Sequence, residues 1–313
     1  MNNVLVLGAT GGMGSALTYE LAKRGVHTIA FARNKQKLEE FFHAEALVTI
    51  QAGDVFNEVE LNEAMKKVDI VFHAINLPYE EWADKLEDVM DRILQGCQRN
   101  GAKLAIVDNI YAYGINNNQN PLTETATKQP QTKKGKVRLR LQQKALNSNV
   151  PVVIAHFPDF YGPNAENTGM HYMLQNMVRN KRAMFVGSQT IPREYIYTMD
   201  GAKALIELAY TESAYGQCWN IPGARAISGE EVIQIVKEIT GYTKKVSTVS
   251  KNMVRFIGLF DKSMREYVEM YELNDNPVFL DGQKYQREIG DVPKTPYEEG
   301  LKHTLTIMEA KKG

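Results

Sequence analysis

The sequence predicts an α/β fold: a doubly wound parallel sheet with helices on both faces, extended by a smaller C-terminal region. Three observations carry the prediction. Short runs rich in β-branched residues recur through the first half, at 4–7, 27–31, 47–50, 70–72, 103–107 and 152–155, and runs this apolar suit strands buried on both faces. Helical patterns fall between them, as a parallel sheet requires, because each strand must be reached by a crossover. At 313 residues with 43% hydrophobic content, the chain can bury the core that such a sheet needs.

The first crossover spans 13–24 and is closed by Gly25, a residue free to take the left-handed conformation that ends helices. The second spans 57–67, where Asn57 and Glu60 have capping-box spacing in an asparagine variant. The polar stretch 116–132, with its asparagine run, Pro121 and Pro130, carries no periodic pattern and reads as an active-site loop or a mobile connection. After about residue 160 the alternation becomes irregular, with helical patterns at 169–180, 200–210, 229–240 and 297–310. The expected division is 1–165 for the sheet domain, completed by parts of 185–220, and 166–313 for a discontinuous region rather than an independent domain. Between Met253 and Met270, Met and aromatic residues stand at helical spacing, which reads as core or a partner face.

Lys plus Arg equals Asp plus Glu at 37 each, so no global field draws in nucleic acid or an anionic membrane. The partners expected are a small-molecule substrate and a second copy of the chain as a homodimer. Cys97 and Cys218 are too few for a disulfide framework, which fits a reducing cytoplasm. The chain runs from Met1 into Val4 without a basic leader, and no run of about 18 apolar residues occurs, so neither secretion nor membrane insertion is expected. The histidines lack metal-ligand spacing, and no metal is expected.

Gly8-Ala-Thr-Gly11-Gly-Met-Gly14 stands between the first strand and the first helix. Glycine there permits a tight turn and lets backbone approach a pyrophosphate, whose charge sits at the helix N-terminus among unpaired N–H groups. The contacts expected are Gly8, Thr10, Gly11, Gly12 and Met13. This spacing is similar to the turn of the short-chain dehydrogenase/reductase superfamily, whose extended branch includes the sugar-nucleotide epimerases and dehydratases. Further segments resemble that branch in order. Gly53-Asp54-Val55 resembles its adenine-side segment, and His73-Ala74-Ile75-Asn76 its fourth-strand end beside pyrophosphate and ribose. Residues 107–114 resemble its fifth-strand segment, 157–163 its sixth, and 193–200 the strand and helix start of its substrate region.

The resemblance implies a Rossmann-like domain over 1–165 and a substrate side over 166–313. It places Asp54, Val55, Ala74, Ile75, Asn76 and Phe157 beside a nicotinamide dinucleotide, and Asp159 and Tyr161 near the substrate. Arg193 matches a position that in sugar-nucleotide members can hold a diphosphate. Competing readings are that Tyr161-Gly162-Pro163 is a turn, that Arg193 is a surface arginine paired with Glu194 or Asp200, and that His156 is a satisfied interior side chain. At the end of the second strand, Phe31-Ala32-Arg33-Asn34 offers no carboxylate to an adenosine ribose and clusters Arg33 with Lys35 and Lys37, which favours NADP(H) over NAD(H).

Family members carry a Ser or Thr near the end of the fifth strand and a Tyr-x-x-x-Lys pair on the following helix. Here Asn109 takes the first position, and Lys134 and Arg138 take the other two, so the chain resembles atypical members with Lys-Gly-x-x-Arg. Proton transfer then falls first to Tyr111, two residues beyond Asn109. Lys134 is second, if burial lowers its pKa, although Lys133 and Lys136 also suggest a solvated basic face. Arg138 is assigned to ribose or phosphate binding, since it cannot exchange protons near neutral pH. The function expected is an NAD(P)-dependent oxidoreductase or an epimerase/dehydratase-like enzyme acting on a carbonyl or hydroxyl of a small molecule, a sugar derivative among the candidates. The alternative is a non-catalytic NADP(H)-binding sensor.

Overall fold

The computed structural model describes residues 3–116, 120–166 and 168–310. The strands in chain order are β1 (Val4–Leu7), β2 (Thr28–Ala32), β3 (Val48–Ala52), β4 (Ile70–His73), β5 (Lys103–Asn109), β6 (Val152–Phe157), β7 (Asp159–Tyr161), β8 (Met184–Val186), β9 (Arg193–Tyr197), β10 (Gln217–Asn220), β11 (Ala226–Ile227) and β12 (Ser247–Val249). Seven of them form one sheet in the order β3-β2-β1-β4-β5-β6-β10, and every pairing is parallel. The order reverses between β1 and β4, and a doubly wound sheet opens its ligand crevice at the carboxyl ends of such a pair.

Alternation along the strands feeds two cores. Val4 and Val6 join Leu17 and Leu21 of α1 (Gly12–Lys23), the α2 helix (Lys35–Phe42) and, later in the chain, Leu205 and Leu208 on one face. Leu5 and Leu7 join α3 (Glu58–Met65), α4 (Trp82–Asn100) and α5 (Lys133–Leu146) on the other. Gly25 takes φ +77° just past the end of α1. Asn57 caps α3 by accepting from Val59 N and Glu60 N, but Glu60 does not return to Asn57: its carboxylate accepts from Asp54 N at 2.7 Å. The acidic half of the box thus braces the turn after β3.

The second half builds a β11-β9-β7 sheet and a β12-β8 pair around a third core. It includes α6 (Gly169–Val178), α7 (Thr198–Tyr210), α8 (Gly229–Thr240) and the helix Tyr297–Ala310. α7 crosses back to pack on α1, where a side chain at Gly201 would meet Met13 at 3.2 Å, and β10 then completes the main sheet. The stretch between residues 251 and 275 contains three short helices, Lys251–Ile257, Lys262–Tyr267 and Glu272–Asp275. In its first part Met253, Phe256, Ile257, Leu259 and Phe260 are exposed while Val254 packs with Val249 and Tyr271, and Met270 and Tyr271 are buried further on.

Within the asparagine-rich stretch, Asn117, Asn118 and Gln119 lie outside the described residues. Residues 120–132 are stitched down. Leu122 N donates to Phe279 O and Leu122 O accepts from Asp281 N, Glu124 accepts from Asn220 N at 2.8 Å, and Lys128 donates to Gln142 at 2.7 Å. These bonds make this part a tie between the sheet and the C-terminal region. Cys97 and Cys218 are free and buried. Among the described residues no helix is long and apolar enough to cross a membrane, and no group of three or more His, Cys, Asp or Glu is arranged to hold a metal.

Candidate active site

The glycines of the first turn divide their work. Gly8 sits at φ +85°, and a Cβ there would stand 2.8 Å from Ala74 O, so glycine lets the ends of β1 and β4 meet. A Cβ at Gly14 would lie 2.1 Å from Gly8 O, and one at Gly12 would lie 2.8 Å from Ala165 Cα; both positions are required by packing. Gly11 is different: it is exposed, and its Cβ would meet only Gly8 O at 3.4 Å. No side chain caps α1 and its first turn carries no acid. An open glycine at an uncapped helix N-terminus fits a pyrophosphate. Thr10 borders this opening half-exposed, whereas Met13 is buried in the core and can offer only its backbone.

At the end of β2, Arg33 is exposed and among the described residues pairs with no carboxylate, whereas Lys37 is bound to Glu166 at 2.7 Å. Asn34 caps α2 through Lys37 N. Asp54 accepts from Phe56 N at 3.0 Å and shapes the turn, while Val55 is buried. Ala74 and Ile75 are half-buried at the end of β4, with Asn76 exposed beyond them. His73 is buried; burial and the Arg138 charge push its pKa down to about 3, so it is neutral and accepts Ile75 N.

Arg138 lies beneath this edge, not on the surface. Its guanidinium is 4.3 Å from the Trp82 ring centroid, 3.5 Å from Asp108 and 3.2 Å from Asn76 Oδ1, to which it donates. Asp108 also accepts from Gln142 at 2.9 Å. Burial pushes the Asp108 carboxyl up while Arg138 opposes the shift. Arg138 thus reaches the crevice edge through Asn76, while its Nε has no hydrogen-bond partner among the described residues. Asn109 is engaged as well: its side chain accepts from Tyr111 N at 3.0 Å and turns the chain after β5.

Tyr111 and Tyr79 share a hydrogen bond between their hydroxyls at 2.8 Å. Burial raises the pKa of Tyr111 well above the ordinary phenol range, and the charges of Tyr79 and Asp159 add to the shift, so the pair is protonated at neutral pH. Lys134 is buried rather than part of a solvated face. Its ammonium contacts Glu266 and Glu269, the latter at 3.1 Å, and lies 5.8 Å from the Tyr79 ring centroid. The Tyr79 ring also stacks on Tyr267 at 6.3 Å, which brings the 251–275 segment over the crevice. Tyr79, Tyr267, Glu266, Glu269 and Asp108 were not among the candidates read from sequence, because only the folded chain brings them to the site.

Asp159 is exposed on β7, yet enough protein surrounds it that burial raises its carboxyl pKa, with Arg193 acting against the shift. A group on the floor of an open cleft satisfies both observations. Tyr161, its neighbour but one, is only 2% exposed and packs between Tyr197 and Tyr297, each 5.4 Å away. That placement makes it a packing residue, not one that touches substrate. The Phe157 side chain is likewise core, fully buried. Arg193 is not a surface residue: it donates to Asn274 and to Val186 O, and it lies over Phe185 and Tyr195. His156 is an interior side chain held by Tyr113 at 3.2 Å and Asn220 at 3.1 Å, its pKa pushed down to about 3 by burial.

Residues 8–155 match the family described as NAD(P)H-binding. A photosystem II assembly factor of Synechocystis is 20% identical over 267 residues, 83% of this chain and 74% of its own. The trifunctional UDP-glucose 4,6-dehydratase/UDP-4-keto-6-deoxy-D-glucose 3,5-epimerase/UDP-4-keto-L-rhamnose-reductase of Arabidopsis thaliana is 27% identical over 158 residues, which is 50% of this chain and 21% of that protein. The solved dTDP-glucose 4,6-dehydratase of Bacillus anthracis, in complex with NAD, matches with a TM-score of 0.82 at 18% identity, over 100% of this chain and 98% of that one. The whole chain thus shares the fold of the NAD-bound dTDP-glucose 4,6-dehydratase of Bacillus anthracis, and its first half is similar to the NAD(P)H-binding family.

Proposed function

We propose that this chain is an NADP(H)-dependent oxidoreductase or epimerase/dehydratase-like enzyme, acting on a carbonyl or hydroxyl of a small molecule such as a sugar derivative. The dinucleotide would lie across the carboxyl ends of β1 and β4, held by the backbone at Gly11 and Gly12 and bordered by Thr10, Ala74, Ile75 and Asn76, with Arg33 at its 2′-phosphate. When bound, it supplies or accepts the hydride. The observation that carries the enzyme reading is the Tyr111–Tyr79 hydroxyl pair at the carboxyl edge of the same sheet. Because its pKa is raised, Tyr111 acts as a protonated phenol that donates to a carbonyl oxygen; Tyr79 passes its own proton on to Tyr111, and solvent water restores the one the pair has lost. Two free, buried cysteines suit a reducing compartment such as the cytoplasm.

Steady-state assays with NADPH and NADH across aldehydes, ketones and nucleotide sugars test the proposal. Tyr111→Phe is expected to keep cofactor affinity and lose roughly 10²- to 10⁴-fold in rate, and an unchanged rate would remove it. Arg33→Ala is expected to weaken NADPH binding about tenfold or more while leaving NADH alone. Equal affinity of the wild type for the two cofactors would refute the NADP preference. A second reading, a cofactor-binding regulator without turnover, is favoured by the engagement of Asn109, Lys134 and Arg138 in internal bonds. Tight NADPH binding with no oxidation by any substrate in the panel would select it.

A further inference from the structure

Ten large apolar side chains are exposed among the described residues, and five of them, Met253, Phe256, Ile257, Leu259 and Phe260, fall within eight positions. Single exposed apolar residues are ordinary, whereas a contiguous patch marks a surface that something covers. The local backbone makes this one contiguous. The helix Lys251–Ile257 runs on for another turn, with Gly258 N donating to Val254 O at 2.8 Å and Asp261 N to Ile257 O at 3.0 Å. Helical spacing then sets Met253, Phe256, Ile257 and Phe260 on one face, and the rings of Phe256 and Phe260 meet edge to face at 6.0 Å. The opposite face is turned to the chain itself: Val254 packs with Val249 and Tyr271, and a Cβ at Gly258 would lie 2.9 Å from Arg265 Cα. The helix is therefore apolar on two sides and buries only one.

Size and charge identify what covers the other. Phe256 and Leu259 are each 66% exposed and Phe260 83%, and the five residues together present about three side chains' worth of surface, roughly 600 Å² at ~200 Å² apiece. Paired with its own copy, the patch buries about 1,200 Å², the lower end of what stable interfaces need. Its rim carries both signs: Arg255 and Lys262 are exposed beside Asp261, and Ser263 draws Glu80 alongside at 3.1 Å. A two-fold pairing can set the cations of each copy against the acids of the other, whereas an anionic bilayer would meet acids as well as cations. The formal charge of the chain is zero, so two copies meet without net repulsion. We propose that residues 253–260 form the face on which this protein pairs with a second copy of itself. Pairing here goes beyond the cofactor and substrate reading and does not depend on it. A partner seated there would also steady the strap that brings Glu266 and Glu269 to Lys134 and Tyr267 to Tyr79.

Sedimentation equilibrium of the full chain from about 1 to about 50 µM tests the pairing. The wild type is expected at about twice 35.3 kDa at the upper concentrations, with hydrogen exchange in 253–260 slowing as the dimer fills. Phe256→Ser combined with Phe260→Ser is expected to weaken dimerisation about a hundredfold or more, since two aromatic anchors leave each patch, while circular dichroism and cooperative melting stay those of a folded chain. Val59→Ser removes a similarly exposed apolar side chain, on α3, and should leave the dimer intact. A wild type that stays monomeric throughout, exchange in 253–260 that ignores concentration, a dimer that survives the double substitution, or equal weakening by Val59→Ser would each overturn the proposal. So would a monomer that floats with phosphatidylcholine–phosphatidylserine vesicles only while Phe256 and Phe260 are present, a result that assigns the face to a bilayer. None of these readouts uses NADPH or turnover, so a negative result leaves the cofactor reading standing, and failure of NADPH to bind leaves the pairing standing.

Discussion

Gly8, Gly11 and Gly14 look interchangeable as a motif, yet the space around each separates fold from function. Adding two methyl-bearing branches at Gly14 drives atoms into Gly8 O, which lies 2.1 Å from the first added carbon. Gly14→Val is therefore expected to cost about 3 kcal/mol or more, read as a large drop in Tm. At Gly11 the nearest atom is 3.4 Å away and the backbone is extended at φ −83°, so valine fits the fold. Gly11→Val is expected to melt near the wild type and to lose NADPH binding, because the side chain projects where the pyrophosphate would meet the helix. Wild-type NADPH affinity in that variant would show that the turn only starts a helix. The motif was legible in sequence but this division was not, because it depends on what β4 and α1 bring against each glycine. The same holds for Arg138, whose burial on Trp82 and Asp108 needs α4, α5 and β5 together.

At the scale of elements, the crossing between α5 and the 262–271 stretch shapes the site more than either part does alone. Glu269 accepts from Lys133 N at 2.9 Å and from Lys134 N at 3.2 Å, at the N-terminus of α5, and also holds the Lys134 ammonium. Negative charge there complements the helix dipole, and Thr132 caps the same end through Gly135 N. Glu269→Ala is expected to cost about 1 kcal/mol and to speed amide exchange in 133–138 and 262–271, with exchange in the main sheet unchanged. Uniform exchange across the chain would contradict a local clamp. Most of the main-sheet strands and several helices could be read from runs and periodicity, because each carries its pattern within a few turns. α4 carries a stripe, Trp82, Leu86, Val89, Ile93 and Cys97, that was legible in principle but submerged among charged residues. β10 is four residues with two polar ends at a sheet edge, too short for a pattern.

The whole molecule depends on a join that sequence patterns do not encode, where the C-terminal region is fastened back to the sheet. Glu194 on β9 is central to it: its carboxylate accepts from Leu280 N at 3.1 Å and from the backbone of Gly223. The chain is so close there that a Cβ at Gly223 would lie 2.1 Å from Tyr195 O. Burial pushes the Glu194 carboxyl up from 4.5 to about 7, against those two bonds and Lys294. Between these values the folded chain binds more protons than the unfolded one, so this group's contribution to stability is full below about pH 4.5 and is lost as pH rises through about 7. Glu194→Gln keeps an oxygen for the two N–H donors and carries no charge at any pH. The variant is expected to melt with the wild type at pH 5 and several degrees above it at pH 8, roughly the effect of 1–2 kcal/mol in a chain of this size. Parallel Tm profiles for the two proteins from pH 5 to 8 would mean that Glu194 stays ionised in the fold and that the join tolerates its charge.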